Sequence, residues 1–215
     1  MSRLFRFGGP LPNLRPRYNV APTQQVPIMR TESGDGCGCQ LAQVRWGLIP
    51  FWAKDAKIGY SLINARAEGI DTKPSFREAF KRGRRCLIAA DGFYEWEKKG
   101  RATKQPWRII LKEGEPVAFA GLWERWEKAR DGVPVESCTT VTTAANELVA
   151  KLHDRMPVIL APDAHAAWLG EDGAEPSELL ALLKPYAADA MRTYPVRTVV
   201  NSPRNDTPEC IEPAA

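Results

Sequence analysis

The sequence predicts an α+β protein, one domain over residues 1–215 with a largely antiparallel β core and peripheral helices. Short apolar or β-branched runs outnumber helical patterns, Gly and Pro punctuate the whole chain, and strand-like and helix-like runs are interspersed without a regular βαβ alternation. The strand runs are residues 44–48, 86–90, 93–97, 107–111, 117–123, 138–143 and 195–200, with Asp91-Gly92 and Lys98-Lys99-Gly100 as turn signals. The clearest helix covers residues 75–82, where Ser75 and Glu78 have capping-box spacing, Phe76 and Phe80 share a face, and Gly83 stops the helix. Further helices are expected over 144–152, 162–169 and 177–183.

Composition bounds the class. With 44% apolar and 26% charged residues the chain is an ordinary globular protein, and a 215-residue domain buries roughly 70% of its unfolded surface. No apolar run approaches a membrane span and the first residues lack a signal-type apolar stretch, so no membrane partner and a cytoplasmic location are expected. Five cysteines is an odd count, and Cys86 and Cys138 lie in apolar or β-branched runs, which reads as reduced buried thiols. There is no HExxH, no CxxC pair and no P-loop, and Cys37-Gly38-Cys39 is a short CxC, so neither metal nor cofactor is expected. No GxSxG supports a serine nucleophile, and His165 reads as a partly exposed helical residue.

Three segments place a catalytic-type group inside an apolar run: Asn64 and Arg66 in Leu62-Ile63-Asn64-Ala65-Arg66, Glu95 in Phe93-Tyr94-Glu95-Trp96, and His153 in Leu152-His153-Asp154-Arg155-Met156-Pro157. Buried carboxylates and imidazoles cost several kcal/mol unless paired, so an amide, a carboxyl and one of two histidines in such contexts suggest one shared acid/base site. A net charge of +4 does not indicate nucleic acid, but Arg77, Lys81, Arg82, Arg84 and Arg85 fall within nine residues around the helix at 75–82. A solvated helix end is the plainer explanation, since cations suit its negative pole. Aromatic company strengthens the nucleic-acid reading, because Trp46-Gly47-Leu48-Ile49-Pro50-Phe51-Trp52 should leave at least one ring on a loop where a base could stack.

These segments resemble a known family. Arg17-Tyr18-Asn19-Val20-Ala21-Pro22, Trp46-Gly47-Leu48-Ile49-Pro50, Ile63-Asn64-Ala65-Arg66-Ala67-Glu68, Asp91-Gly92-Phe93-Tyr94-Glu95-Trp96 and His153-Asp154-Arg155-Met156-Pro157 stand in the order found in SOS-response-associated peptidases, the abasic-site-processing proteins. The tail Val200-Asn201-Ser202-Pro203-Arg204-Asn205-Asp206 is similar as well. The resemblance implies a curved, barrel-like β core with a groove for single-stranded DNA containing abasic sites, acting as a monomer. In the family an N-terminal Cys, exposed by removal of the initiator Met, condenses through its amine with the open-chain sugar aldehyde, and its thiol closes a thiazolidine. By motif position, Glu95 and His153 would open the sugar ring and manage imine protons, and Asn64 would orient amine and sugar. Arg66 and Arg155 suit flanking phosphates, as do Arg77, Arg84 and Arg85, while Trp52 and the Pro50 turn would replace the missing base's stacking partner.

The resemblance breaks at its opening residues. Family members begin Met-Cys-Gly-Arg, whereas this sequence begins Met1-Ser2-Arg3-Leu4-Phe5-Arg6-Phe7, which is similar to the end of the family's first helix. A start assigned at an internal Met and a true loss of the nucleophile both give this pattern. The first strand with its Cys is expected to be missing, and the polypeptide as written is expected not to form the stable crosslink. A noncatalytic single-strand-binding module and an autoprocessing peptidase are the other function classes this leaves.

Overall fold

The structure is a computed structural model that describes residues 14–31, 39–99, 103–129 and 132–214. Along them run the strands β1 (Gln25–Thr31), β2 (Cys39–Trp46), β3 (Asn64–Arg66), β4 (Arg85–Ala90), β5 (Phe93–Lys99), β6 (Thr103–Leu111), β7 (Val117–Trp126), β8 (Val135–Ala144), β9 (Arg155–Pro157), β10 (Ile159–Leu160) and β11 (Met191–Pro195). Three short α-helices accompany them: α1 (Arg77–Lys81), α2 (His165–Leu169) and α3 (Pro176–Ala181). None of the described helices is long and apolar enough to cross a membrane.

The large sheet closes on itself. Antiparallel pairings link β2 to β1, β1 to β4, β4 to β7 and β7 to β8, and a parallel pairing of Arg45 with Ser137 and Trp46 with Cys138 returns β8 to β2. The ring explains the unbroken apolar run of β4, because alternate residues feed two cores. Met29, Leu87, Ala120 and Leu122 pack with Phe80 of α1, Trp168 of α2 and Leu179 of α3, while Ile28, Cys86, Ile88 and Phe119 pack with Ile109 and Met191 of a second sheet. That second sheet has the order β11-β6-β5 and is antiparallel throughout. Phe93 of β5 meets Phe119 of β7 edge-on, with ring centroids 6.0 Å apart, and so seats the small sheet on the ring.

The two ends of the described chain are clamped together. The buried Asn19 amide donates to the carbonyls of Val200 (3.0 Å), Ser202 (3.0 Å) and Asn205 (2.9 Å). Asp206 accepts the backbone N–H groups of Tyr18 and Asn19 and pairs with Arg17. Over this clamp lies β5, whose Tyr94 hydroxyl donates to the Tyr18 carbonyl at 2.6 Å and whose Trp96 indole donates to Asn201 Oδ1 at 2.7 Å.

The α+β class holds, with several local differences. β1 was not foreseen, and the strand expected over 195–200 is instead the end of β11 followed by a 3-10 helix, Thr198–Asn201. The helix expected over 144–152 shrinks to the 3-10 turn Val149–Lys151, because the Asn146 side chain accepts the Val149 N–H and donates to the Tyr186 carbonyl, tying the backbone locally. Ser75 does not cap α1, whose N-cap is Phe76, although Gly83, with φ +71°, does end that helix. His165 is buried, with Nε2 3.2 Å from the Leu160 carbonyl oxygen, rather than partly exposed. Cys86 and Cys138 are buried free thiols as expected. The opening residues 1–13, Cys37-Gly38 and Gly100 lie outside the described residues.

Candidate functional site

The C-terminal half of β8 is the spine of the site. On one edge β3 pairs with it in parallel, setting Asn64 beside Thr140 and Arg66 beside Thr142. On the other edge β9 pairs antiparallel, setting Arg155 beside Ala144 and Pro157 beside Thr142. In β3 the strand alternation buries Ala65 and exposes Asn64 and Arg66 on one face. The residue before Asn64 is fixed by Trp46, whose indole N–H donates to the Ile63 carbonyl at 2.9 Å.

His153 enters just ahead of β9. The Arg155 backbone N–H lies 3.0 Å from its Nδ1 and the Arg155 carbonyl oxygen 3.3 Å from the same atom, and the ring is exposed. Asp154 Oδ1 lies 3.2 Å from Nδ1. Glu95 comes from β5 of the other sheet, paired with Trp107 across the strand. Burial pushes its carboxyl above the ordinary glutamate range; His153 and a hydrogen bond from the Trp96 backbone N–H act against that, and Asp154 adds to it. Glu95 and His153, distant in sequence, thus interact electrostatically.

Arg155 is held rather than free. Its fork grips Glu68 bidentately, at 2.8 Å for each bond, and also donates to the Thr142 carbonyl at 2.6 Å. The Arg155 hydrogen bond brings the Glu68 carboxyl down to about 2, with Arg66 adding its charge. A phosphate at Arg155 would compete with Glu68, whereas Arg66 is exposed. Sequence reading missed Glu68 as a functional neighbour, although its place in Ala65-Arg66-Ala67-Glu68 puts it one strand step beyond Arg66.

The basic cluster and the aromatic loop meet. Pro50 to Ala53 form a turn closed by the Ala53 N–H on the Pro50 carbonyl at 2.9 Å. Pro50 is buried, while Phe51 and Trp52 at the two central positions stay 38% and 40% exposed. Trp52 donates to the Pro74 carbonyl at 3.4 Å, just before α1, and the Arg82 guanidinium lies 5.2 Å from the centre of the Phe51 ring. Arg77, Lys81 and Arg82 are exposed on this face. Two assignments need correction. Arg85 is buried and donates to the Trp168 and Phe80 carbonyls, because the left-handed turn at Gly83 sends the chain into β4 with that side chain inward. Arg84 is half-buried and paired with Glu124, itself buried, so its charge is already matched.

Fold and site together define a ring-sheet α+β protein with a glutamate and a histidine that interact electrostatically and, on its surface, an exposed group of aromatic rings and cations. The family model for SOS response associated peptidase (SRAP) matches residues 5–203. The chain is 50% identical over 197 residues to the abasic site processing protein YoqW of Bacillus subtilis (strain 168), covering 92% of this chain and 86% of that one. It is 33% identical over 226 residues to the abasic site processing protein HMCES of Gallus gallus, covering 93% of this chain and 66% of that one. Among solved structures, a protein from Bacteroides thetaiotaomicron superposes with a TM-score of 0.79 at 30% identity, covering 90% of this chain and 82% of its own. The chain belongs to the SOS response associated peptidase family.

Proposed function

We propose that this chain binds single-stranded DNA and processes abasic sites in it, with Glu95 and His153 as its acid/base pair. The observation that carries this reading is that half-buried Glu95 on β5 interacts electrostatically with exposed His153 just ahead of β9, so two sheets contribute titratable groups that sense one another. An abasic sugar is mostly a closed hemiacetal, and opening it takes a proton from the hydroxyl and gives one to the ring oxygen. A carboxyl biased toward its neutral form can give, and an imidazole can take or relay. Asn64 and Arg66, side by side on β3, suit the sugar and the neighbouring phosphate, and the Phe51 and Trp52 rings suit stacking on bases.

Covalent capture needs an amine and a thiol on one residue. The amine adds to the aldehyde, water leaves to give the imine, and the thiol adds to the imine carbon. The cysteines among the described residues, Cys39, Cys86, Cys138 and Cys210, are buried, and burial holds the first three thiols above their ordinary range, Cys39 at about 11. None of these four suits the role. The test supplies it: the chain is expressed with a Met-Cys-Gly-Arg opening and incubated with single-stranded DNA carrying one abasic site. A heat-stable adduct is expected on a denaturing gel. Glu95→Gln keeps the hydrogen-bonding shape and loses the proton carrier, so the adduct should form about 100-fold more slowly or worse, with DNA binding unchanged. Equal rates at matched binding would leave Glu95 a structural strand residue.

A further inference from the structure

Glu124 is 2% exposed, and its strand neighbour two residues on is Trp126, also buried. One carboxylate oxygen accepts the Phe51 backbone N–H at 3.0 Å, and the other takes the Arg84 guanidinium. The Trp126 indole donates to the Ala53 carbonyl at 2.9 Å, and Ser137 of β8 accepts the Ile49 N–H at 2.8 Å. The backbone of the Pro50 to Ala53 turn is thus tied from below by adjacent ring strands, and the Phe51 and Trp52 rings project from it. Burying a carboxylate is unfavourable unless it is paired and hydrogen-bonded. A chain that keeps one here needs what a neutral side chain would not give, a charged acceptor that fixes one particular amide.

We infer that Glu124, neutralised by Arg84, is a positioning residue for nucleic-acid binding: it holds the Phe51-Trp52 turn so that both rings are preset as a stacking platform. This rests on the reading of that face as a single-strand surface. A preset platform loses little freedom on stacking, which leaves more of the stacking energy as affinity. Arg84 thereby acts through the turn and not on a phosphate.

The test is a binding cycle with a fluorescent single-stranded oligonucleotide across a salt series, using the full chain, Glu124→Leu, Trp52→Ala and the double variant. Glu124→Leu should bind about fivefold more weakly or worse, since stacking is strong for each base. Its salt slope should match the parent's, because no phosphate contact is lost. The double variant should lose clearly less than the sum of the two single losses, the non-additivity expected of one residue acting through another. Hydrogen exchange should accelerate at the Phe51 amide while the β7 amides keep their protection, which a general loss of structure would not produce. Should Glu124→Leu fail to fold, Glu124→Gln, which retains an acceptor but unpairs Arg84, carries the same cycle with a smaller loss. Additive losses, or parental affinity in a folded Glu124 variant, overturn this inference alone. No binding by the parent chain at low salt overturns both the inference and the reading it rests on.

Discussion

At the scale of single residues, folding disfavours the ionised form of Glu95. Burial raises its carboxyl above the ordinary 4.5, with His153 opposing, so the folded protein binds that proton more tightly than the unfolded chain. The resulting stability is fully present below the unfolded value and is lost as pH rises through the folded one. Glu95→Gln should therefore raise the melting temperature at pH 7 and leave it unchanged near about pH 4, measured by thermal melts at both. A variant that gains nothing at pH 7 would mean that His153 fully offsets the burial. An activity-impairing substitution that stabilises is the usual mark of a site kept for chemistry. Glu68 is the contrasting case, because its low carboxyl comes from an exposed ion pair with Arg155, and such pairs add little stability. Its effect is on orientation, since the fork it occupies also holds β9 to Thr142.

At the scale of elements, the segment from α1 into β4 divides its cations between two tasks. Arg77 and Arg82 remain outside, while Arg85 satisfies two buried carbonyls. Arg82→Glu should weaken single-strand binding and reduce the magnitude of its salt slope by about one, whereas Arg85→Leu should destabilise the fold by about 1–3 kcal/mol and leave that slope alone. Salt titrations and urea unfolding separate the two. If Arg85→Leu flattened the slope with stability intact, Arg85 would belong to the DNA face after all. Nothing in the run of charges distinguished these residues, because the partners of Arg85 include a carbonyl on α2, 83 residues away. Strands were legible where β-branched and apolar residues ran together, as in β4 and β8. They were not legible in β1, where Pro27 and Arg30 interrupt the pattern and the pairing to β2 decides. Helices were over-read where a single polar side chain redirects the backbone, as Asn146 does.

At the scale of the whole molecule, the site depends on a closure that joins the chain's far ends. Glu95, His153 and Asn64 could be picked out as polar intrusions in apolar runs, but their placement follows from β8 pairing with β3 and β9 and from β5 lying on a separate sheet. Glu124 gave no such signal, since a carboxylate at the end of a strand usually faces water. The Asn19 clamp is the corresponding global device. Asn19→Ala should lower stability by about 1–3 kcal/mol, because the Val200 carbonyl loses its donor at a buried position while those of Ser202 and Asn205 lose one donor each and keep another. The same variant with a Met-Cys-Gly-Arg opening should capture abasic DNA more slowly, as the supports of Tyr94 and Trp96 on either side of Glu95 loosen. Urea titration and the adduct gel report these separately. Unaltered stability would show that Asp206 and Arg17 suffice to hold the ends.

That clamp also sets an order of events during synthesis. Asn19 leaves the ribosome early, yet its partners lie 181 to 186 residues further on, about 10–40 s later at ordinary elongation rates. The ring needs nothing beyond β8 to close, so it can assemble while the last third of the chain is still being made. The strand bearing Glu95 gains its final supports only when the tail arrives. A nascent chain would thus carry a closed ring with both cores and the cleft still unfilled, and its chemistry would wait for the tail.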